Sequence, residues 1–381
     1  MARKRNAGEG SIFHRKDGRW CGQINLGYVN GKRRRRLVYG ATAAAVREAM
    51  TKKLHERDQG MLPATASQTV AQFLESWLSS VKSSLRIRSF ERYKSIVDKH
   101  LTPDIGRVKL DKLTPSHIQT MLDSKLASGL APRTVGAMRI VLAAALKQGM
   151  RWQMVARNAA ELVDGPKVPH REMRFLSPEQ ARTFLAACKS EPLEGLYLLA
   201  LATGLRRGEL LALKWEDIDF DAGKFSVRRA LGRSSTQGIV IAEPKTPQGR
   251  RTVRLSSPLV AALKSHRKRQ LEQRLQAGAE WREGGYVFTT GIGTTIDPRK
   301  LAINYRRMLT KAALPAIRFQ DLRHSAATIA LSQGVHPKIV SEMLGHSRIS
   351  LTLDVYSHSL PTLQAEAADR MAVALGVAGS N

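Results

Sequence analysis

The stretch Ala202-Thr203-Gly204-Leu205-Arg206-Arg207-Gly208-Glu209-Leu210 puts two glycines and two adjacent arginines at the end of the longest apolar run, residues 196–205. That run is far short of the roughly 18 residues a membrane span needs. Three later stretches have to be explained with it: Pro244-Lys245-Thr246, Gln320-Asp321-Leu322-Arg323-His324, and Leu344-Gly345-His346-Ser347 with Tyr356 ten residues after the histidine. All four sit in a region, residues 173–381, that reads as mainly helical with a short β insertion. A firm helix start opens it, because Ser177-Pro178-Glu179-Gln180 is a capping box with proline at the first helical position. Residues 225–231, 239–243 and 251–255 are the strand candidates. Lys245-Thr246-Pro247-Gln248-Gly249 makes a turn between the last two, so Lys245 is expected at a hairpin tip.

Working outward, residues 164–173 have the Pro, Gly and charge content of a linker, and so do residues 60–68. Between them residues 67–163 read as an all-helical domain. Val70, Phe73, Leu74, Trp77, Leu78 and Val81 follow i, i+3, i+4, i+7 spacing. A basic helix comes next, with Arg86, Arg88, Arg92, Lys94 and Lys99 flanking Tyr93, Ile96 and Val97. Thr114-Pro115 starts a helix with Ile118, Met121 and Leu122, and Pro132 another with Val135, Met138, Ile140, Val141, Leu142 and Leu146. Such a bundle suits a DNA clamp, and it equally suits a purely structural role.

Residues 1–62 read as a small three-stranded β-sheet followed by a helix. Lys16-Asp17-Gly18 is a turn signal. Trp20, Ile24, Leu26 and Tyr28 fall on one face at period 2, and Asn30-Gly31 signals a type I′ hairpin. The returning strand carries Lys32, Arg33, Arg34, Arg35 and Arg36, and Thr42 can cap a helix whose Val46, Met50 and Leu54 share a face. A basic sheet edge can contact phosphates and bases in a groove. The alternative is a solvated charge run or a nuclear-import signal, against which the alternation persists through the basic residues as a strand requires.

Composition narrows the function class. Of 381 residues 62 are Lys or Arg and 32 Asp or Glu, a formal +30, and the sequence pI is about 10.8. With 43% hydrophobic residues the chain has enough apolar content to fold. Residues 1–40 alone hold 11 basic and 2 acidic side chains, nearly a third of the excess in a tenth of the length. Cys21 and Cys188 are isolated, with no CxxC and no nearby histidine pair, which argues against a disulfide framework or a zinc site and fits a reducing compartment. The basic start lacks a following apolar segment and is not a secretory signal. The charge points to a polyanion, most simply nucleic acid.

The four stretches in order, with their flanking TGLRxGEL, DLRH, LGHS and YSH patterns, resemble the tyrosine recombinases, the lambda-integrase family, over most of residues 175–360. The resemblance implies a mainly α, multidomain fold: a small N-terminal sheet plus helix, a helical core-binding domain (SAM-like), and a mixed, mostly α catalytic domain over 173–381 with a β-hairpin insertion. It implies catalytic roles for Arg206, Lys245, Arg323 and His346, with Tyr356 as nucleophile. Arginine forks suit phosphate because they grip it bidentately and stay charged. Tyr356 would attack phosphorus and leave a 3′-phosphotyrosyl link and a free 5′-hydroxyl. Lys245 is the family's candidate acid for that oxygen, and His346 would donate to a non-bridging oxygen or position the tyrosine. Glu209 is expected to orient Arg206 or cap structure, and Asp321 to support the local helix start. One position departs from the family: Gln320 stands where histidine or lysine is usual. Glutamine can donate to phosphate but cannot exchange a proton near neutral pH. His324, next along the helix from Arg323, is expected to point elsewhere.

No metal or other cofactor is implied. The implied partners are double-stranded DNA at core-type and arm-type attachment sites, three further copies in a homotetramer, and accessory bending and directionality factors, in the cytoplasm of a prokaryotic host. Lys32 to Arg36 would serve the arm-type site, and Arg86, Arg88 and Arg92 the core. The tail, with Leu363, Ala367, Met371, Ala374 and Leu375 on one face, would dock on a neighbouring subunit or on its own domain. The front domain points to integrases of temperate phages and integrative elements, which integrate and excise DNA. A type IB topoisomerase would use the same chemistry without a partner duplex. A silent DNA-binding regulator would keep the basic domains and lose the site residues, and of those only the Gln320 position departs.

Overall fold

The computed structural model describes residues 10–15, 17–29, 32–58, 68–169, 174–244, 247–346, 349–353, 368–369 and 371–376. The chain divides into two compact units, Met1–His170 and Arg171–Asn381.

Within the first unit, β1 (Ser11–His14), β2 (Trp20–Val29) and β3 (Lys32–Gly40) form an antiparallel meander. Gly18, at φ +80°, lets the chain turn between β1 and β2. The β2–β3 register pairs Val29 with Lys32 across a two-residue connection, whose Asn30-Gly31 lies outside the described residues, as does Lys16. Between Asn25 and Tyr28 the β2 ladder gains a residue. That bulge corrects the expected alternation, because the period-2 face of Trp20 and Ile24 does not run unbroken to Tyr28. Helix α1 (Ala43–Asp58) starts with Thr42 Oγ1 accepting from the Ala45 N–H at 3.2 Å. It covers the sheet through Val46 and Met50, buried with Ile24, while Ile12, Trp20, Val38 and Leu54 close the edges.

A second core of the unit is all helical: α2 (Val70–Val81), α3 (Ile87–Ile96), a π turn (Val97–Leu101), α4 (Thr102–Ile105), α5 (Pro115–Ala127) and α6 (Pro132–Arg151). Thr69 and Gln72 cap α2 reciprocally. The apolar spacing then delivers Val70, Phe73, Leu74, Trp77 and Leu78 to the core, where they meet Ile118, Leu122, Val135, Met138 and Leu142. Ile140 is the exception, 60% exposed. Residues 135, 138, 142 and 146 share one stripe, and position 140 falls across the helix from it.

The second unit begins with α7 (Pro178–Ala187), α8 (Glu194–Thr203) and α9 (Arg207–Leu211). The Ser177–Gln180 capping box forms as read. The β insertion follows: β4 (Ile218–Asp219), β5 (Lys224–Ser226), β6 (Ala230–Ser234), β7 (Gly238–Ala242) and β8 (Thr252–Arg254). The single strand expected over 225–231 is two, β5 and β6, in different sheets. The break falls where Arg229 turns aside to bond Asp217 at 3.0 Å and Glu216 at 2.8 Å. Nor do the strands flanking Lys245 form a hairpin, since β7 pairs with β6 and β8 with β5. The unit closes with α10 (Ser257–Ala277), α11 (Pro298–Lys311), α12 (Asp321–Ser332), α13 (Pro337–Leu344) and α14 (Ser350–Leu353). Its core holds an aromatic cluster in which Tyr305 meets Phe184 and Phe319 edge-on, at 5.5 and 5.3 Å between ring centres. Phe319, the residue just before the Gln320–Arg323 turn, is thereby anchored in the core.

Candidate active site

Helix α8 ends on Gly204 in the left-handed region at φ +61°, where a side chain would meet Leu344. That reversal sets Arg206 at the cap of α9 in extended backbone. Glu209, three residues on, takes the Arg206 backbone N–H at 3.1 Å and its Nη1 at 2.8 Å. Of the two expected roles Glu209 shows both, capping α9 through the backbone bond and holding the Arg206 guanidinium through the other. Arg206 Nη2 reaches back to the Gly345 carbonyl at 3.3 Å, yet the side chain keeps 41% exposure.

Arg323 enters from the first turn of α12 and is 5% exposed. Its Nη1 donates to the Gly204 carbonyl at 2.8 Å, so the turn that places Arg206 also holds Arg323. Among the described residues its buried Nη2 has no hydrogen-bond partner. Burial, then the like charge of Arg206, lowers its pKa to about 9, with Glu209 opposing and Arg251 adding to the fall. Asp321 accepts from the Arg318 N–H at 2.8 Å and from its guanidinium, which fixes the helix start as expected.

His346 follows Gly345, which ends α13 at φ +67°. Burial, then the charges of Arg323, Arg206, His324 and Arg251, push its pKa down to about 4, so the imidazole is neutral at pH 7. The charge of His324 adds to that lowering. Its own pKa is lowered, by burial first. Gln320 sits one turn before Arg323 and is exposed, its carbonyl accepting the Arg323 N–H at 3.2 Å.

Arg251 is the residue the motifs do not announce. It bonds Glu209 through Nη2 at 3.0 Å and the Met343 carbonyl through Nε at 2.7 Å. The signal for it is strand parity, since Arg251 falls in step with the buried Val253 and Leu255. Burial pushes the Glu209 carboxyl up, but the charge and hydrogen bonds of Arg251, with those of Arg206, outweigh it and hold its pKa below the usual carboxylate value. Two arginines thus pair with a single carboxylate, and the buried Arg323 feels its charge. The surplus positive charge, with an unmet buried donor on Arg323, is a setting for a phosphate oxygen.

The site brings Arg206, Arg323 and His346 together; Lys245 and Tyr356 lie outside the described residues. Arg86, Arg88 and Arg92 are exposed at the start and outer face of α3. Lys32, Arg33, Arg34, Arg35 and Arg36 lie along β3, with Arg35 exposed. In the tail, Met371 and Leu375 are 58% and 69% exposed, while Leu363 and Ala367 lie outside the described residues. No helix of the described residues is long and apolar enough to cross a membrane.

Two family models match the chain: the phage integrase family over residues 174–362, and the phage integrase N-terminal SAM-like domain over residues 69–126. A tyrosine recombinase XerC-like protein of Caldanaerobacter subterraneus is 31% identical over 365 residues, covering 90% of this chain and 92% of that one. An integrase of Streptomyces ambofaciens is 30% identical, covering 96% of each. The fold resembles the Tn1549 transposon integrase in complex with transposon right end DNA, at TM-score 0.67 and 21% identity over 78% of this chain and 98% of that one. It also resembles a lambda integrase dimer bound to a COC′ core site, at TM-score 0.58 and 16% identity over 93% and 96%. With these motifs in this order, a matching family model over the residues that carry them, and full-length relatives at such identity, the chain belongs to the phage integrase family of tyrosine recombinases.

Proposed function

We propose that the chain is a site-specific DNA recombinase, an integrase that breaks and rejoins DNA through a 3′-phosphotyrosyl intermediate to integrate and excise a phage or mobile element. The observation that carries this reading is the convergence of Arg206 and the buried Arg323, with its unmet Nη2, beside His346. In this scheme the two arginines neutralise the non-bridging oxygens and His346 donates to one of them. The Tyr356 oxygen gives up its proton to water and forms a bond to phosphorus as the bond from phosphorus to the 5′-oxygen breaks, and the Lys245 ammonium gives that oxygen its proton. The ester conserves the bond energy, so a partner strand's 5′-hydroxyl reverses the step without ATP. Gln320 keeps a positioning role.

Residues 1–62 would bind arm-type sites through Lys32 to Arg36. Residues 67–163 would clamp core DNA with Arg86, Arg88 and Arg92, and residues 173–381 would cut it. Four copies on two duplexes, with host bending and directionality factors in a prokaryotic cytoplasm, complete the reading. Similarity to integrases along nearly the whole chain favours recombination over simple relaxation of supercoils. The test uses a duplex that the chain selects from a random-sequence pool, nicked close to the point of attack so that the short fragment diffuses away. A covalent complex should accumulate and Tyr356→Phe should abolish it; failure to trap any complex would overturn the reading.

A further inference from the structure

Arg251 stands one residue before β8, in step with the inward Val253 and Leu255 and out of step with the exposed Thr252 and Arg254. Its side chain is 8% exposed. An apolar residue would fill such a place at lower cost, because burying a guanidinium demands partners for its donors. Each of its nitrogens has one: Nε bonds Met343 O at 2.7 Å, Nη1 bonds Gly249 O at 3.3 Å, and Nη2 bonds Glu209 Oε2 at 3.0 Å. The three acceptors lie far apart in the chain: Glu209 within one motif stretch, Met343 just before another, and Gly249 three residues after a third. Glu209 passes the link on to Arg206, and Arg206 Nη2 returns it to Gly345 O. The ring closes tightly, since a Cβ on Gly345 would lie 2.8 Å from Gln248 O and 3.0 Å from Arg251 Nη1.

We propose that Arg251 is a positioning residue of the recombination reaction. It fixes Glu209 so that Glu209 aims Arg206 at the reacting phosphate, and it seats the segment after Lys245 against the turn that carries His346. With its three nitrogens engaged, Arg251 acts through Glu209 and not on the phosphate itself. The assignment rests on the reading of Arg206 as a phosphate-binding group.

The experiment is a double-mutant cycle on the full chain. Single-turnover cleavage of the nicked duplex selected from the random pool is measured for the unsubstituted protein, Arg251→Met, Arg206→Lys and the double variant. Methionine keeps the length of the stem and drops the fork, and Arg206→Lys keeps a charge and so some cleavage. Arg251→Met should bind the duplex within about threefold of the parent and cleave it about tenfold or more slowly. In the Arg206→Lys background the same change should cost less than about threefold, because both act along one chain of contacts. A folded Arg251→Met that cleaves at the parental rate, or losses that multiply, would overturn the assignment. Where Arg251→Met does not fold, Glu209→Gln takes its place in the cycle with the same expected coupling, and multiplying losses overturn the proposal equally. Absence of any covalent complex with the unsubstituted chain overturns the recombinase reading and this assignment together, whereas loss of coupling alone overturns only the assignment.

Discussion

At the scale of single residues, the site holds an unmade hydrogen bond. Arg323 is buried, bonded to Gly204 O on one side, and presents Nη2 to no acceptor among the described residues. A buried donor left unpaired costs about 1–3 kcal/mol, and bound phosphate would remove that cost. Arg323→Ala should therefore slow single-turnover cleavage by about 10²–10³-fold, the range seen when one pre-organised donor is lost from a reacting oxyanion. Gln320 is exposed and holds the helix start through its carbonyl, so Gln320→His should leave the cleavage rate unchanged or raise it. Gln320→Ala with no effect would argue against any side-chain role. His346 gives a pH signature. Its folded pKa of about 4 lies below its ordinary 6.5, so between those values the unfolded chain binds more protons than the folded one. Stability then rises with pH across that window and levels off above it. Urea unfolding from pH 4.5 to 7.5 should show this slope, reduced in His346→Asn; His100, His266 and His324, each lowered first by burial, contribute to it as well. Arg206, Arg323 and His346, which the fold brings together, were legible in the sequence because a phosphate site would restrict residue type. Arg251 was not, because its task is set by Met343 and Gly249, which reach it only after folding.

At the scale of elements, the site depends on how closely two of them approach. Gly208, in the first turn of α9, would place a Cβ 2.4 Å from the Leu231 carbonyl on β6. The obstacle is backbone, so Gly208→Ala must push α9 off the sheet, at about 1–3 kcal/mol, and thermal unfolding should report it as a lower midpoint. Ser177→Ala removes the cap of α7 and should cost about 1 kcal/mol, read in the same way but without slowing cleavage. Helix starts were well marked in the sequence, since a cap such as Thr69 with Gln72 or Ser177 with Gln180 is a local interaction between near neighbours. Strand partners were not. Alternation gives a strand's two faces and says nothing of which strand it joins, so the chain's departure at Arg229 toward Asp217 was invisible, and a hairpin was expected where β7 and β8 part company. The bulge in β2 was hidden for the same reason, being a property of the pair and not of either strand.

At the scale of the whole molecule, the +30 charge divides by task. Most of it is available for holding DNA, and only Arg206, Arg323 and Lys245 are assigned to the phosphate that reacts. If residues 1–40 neutralise about six phosphates of an arm-type site, affinity there should fall with a log–log salt slope near about −5. Deleting residues 1–60 should flatten the salt dependence of the full chain and leave Tyr356-dependent cleavage of core DNA in place; filter binding at several salt concentrations and covalent trapping measure the two. The bonds that assemble the site span long stretches of chain: Arg323 to Gly204 across 119 residues, and Arg206 to Gly345 across 139. Their acceptors and donors leave the ribosome far apart in time. A nascent chain displays the helical bundle of residues 67–163 and Arg206 well before residues 343–346 emerge to bond Arg206 and Arg251. Under the proposed reading, synthesis itself therefore orders the two capacities, with grip acquired before the residues that lock Arg206 have emerged.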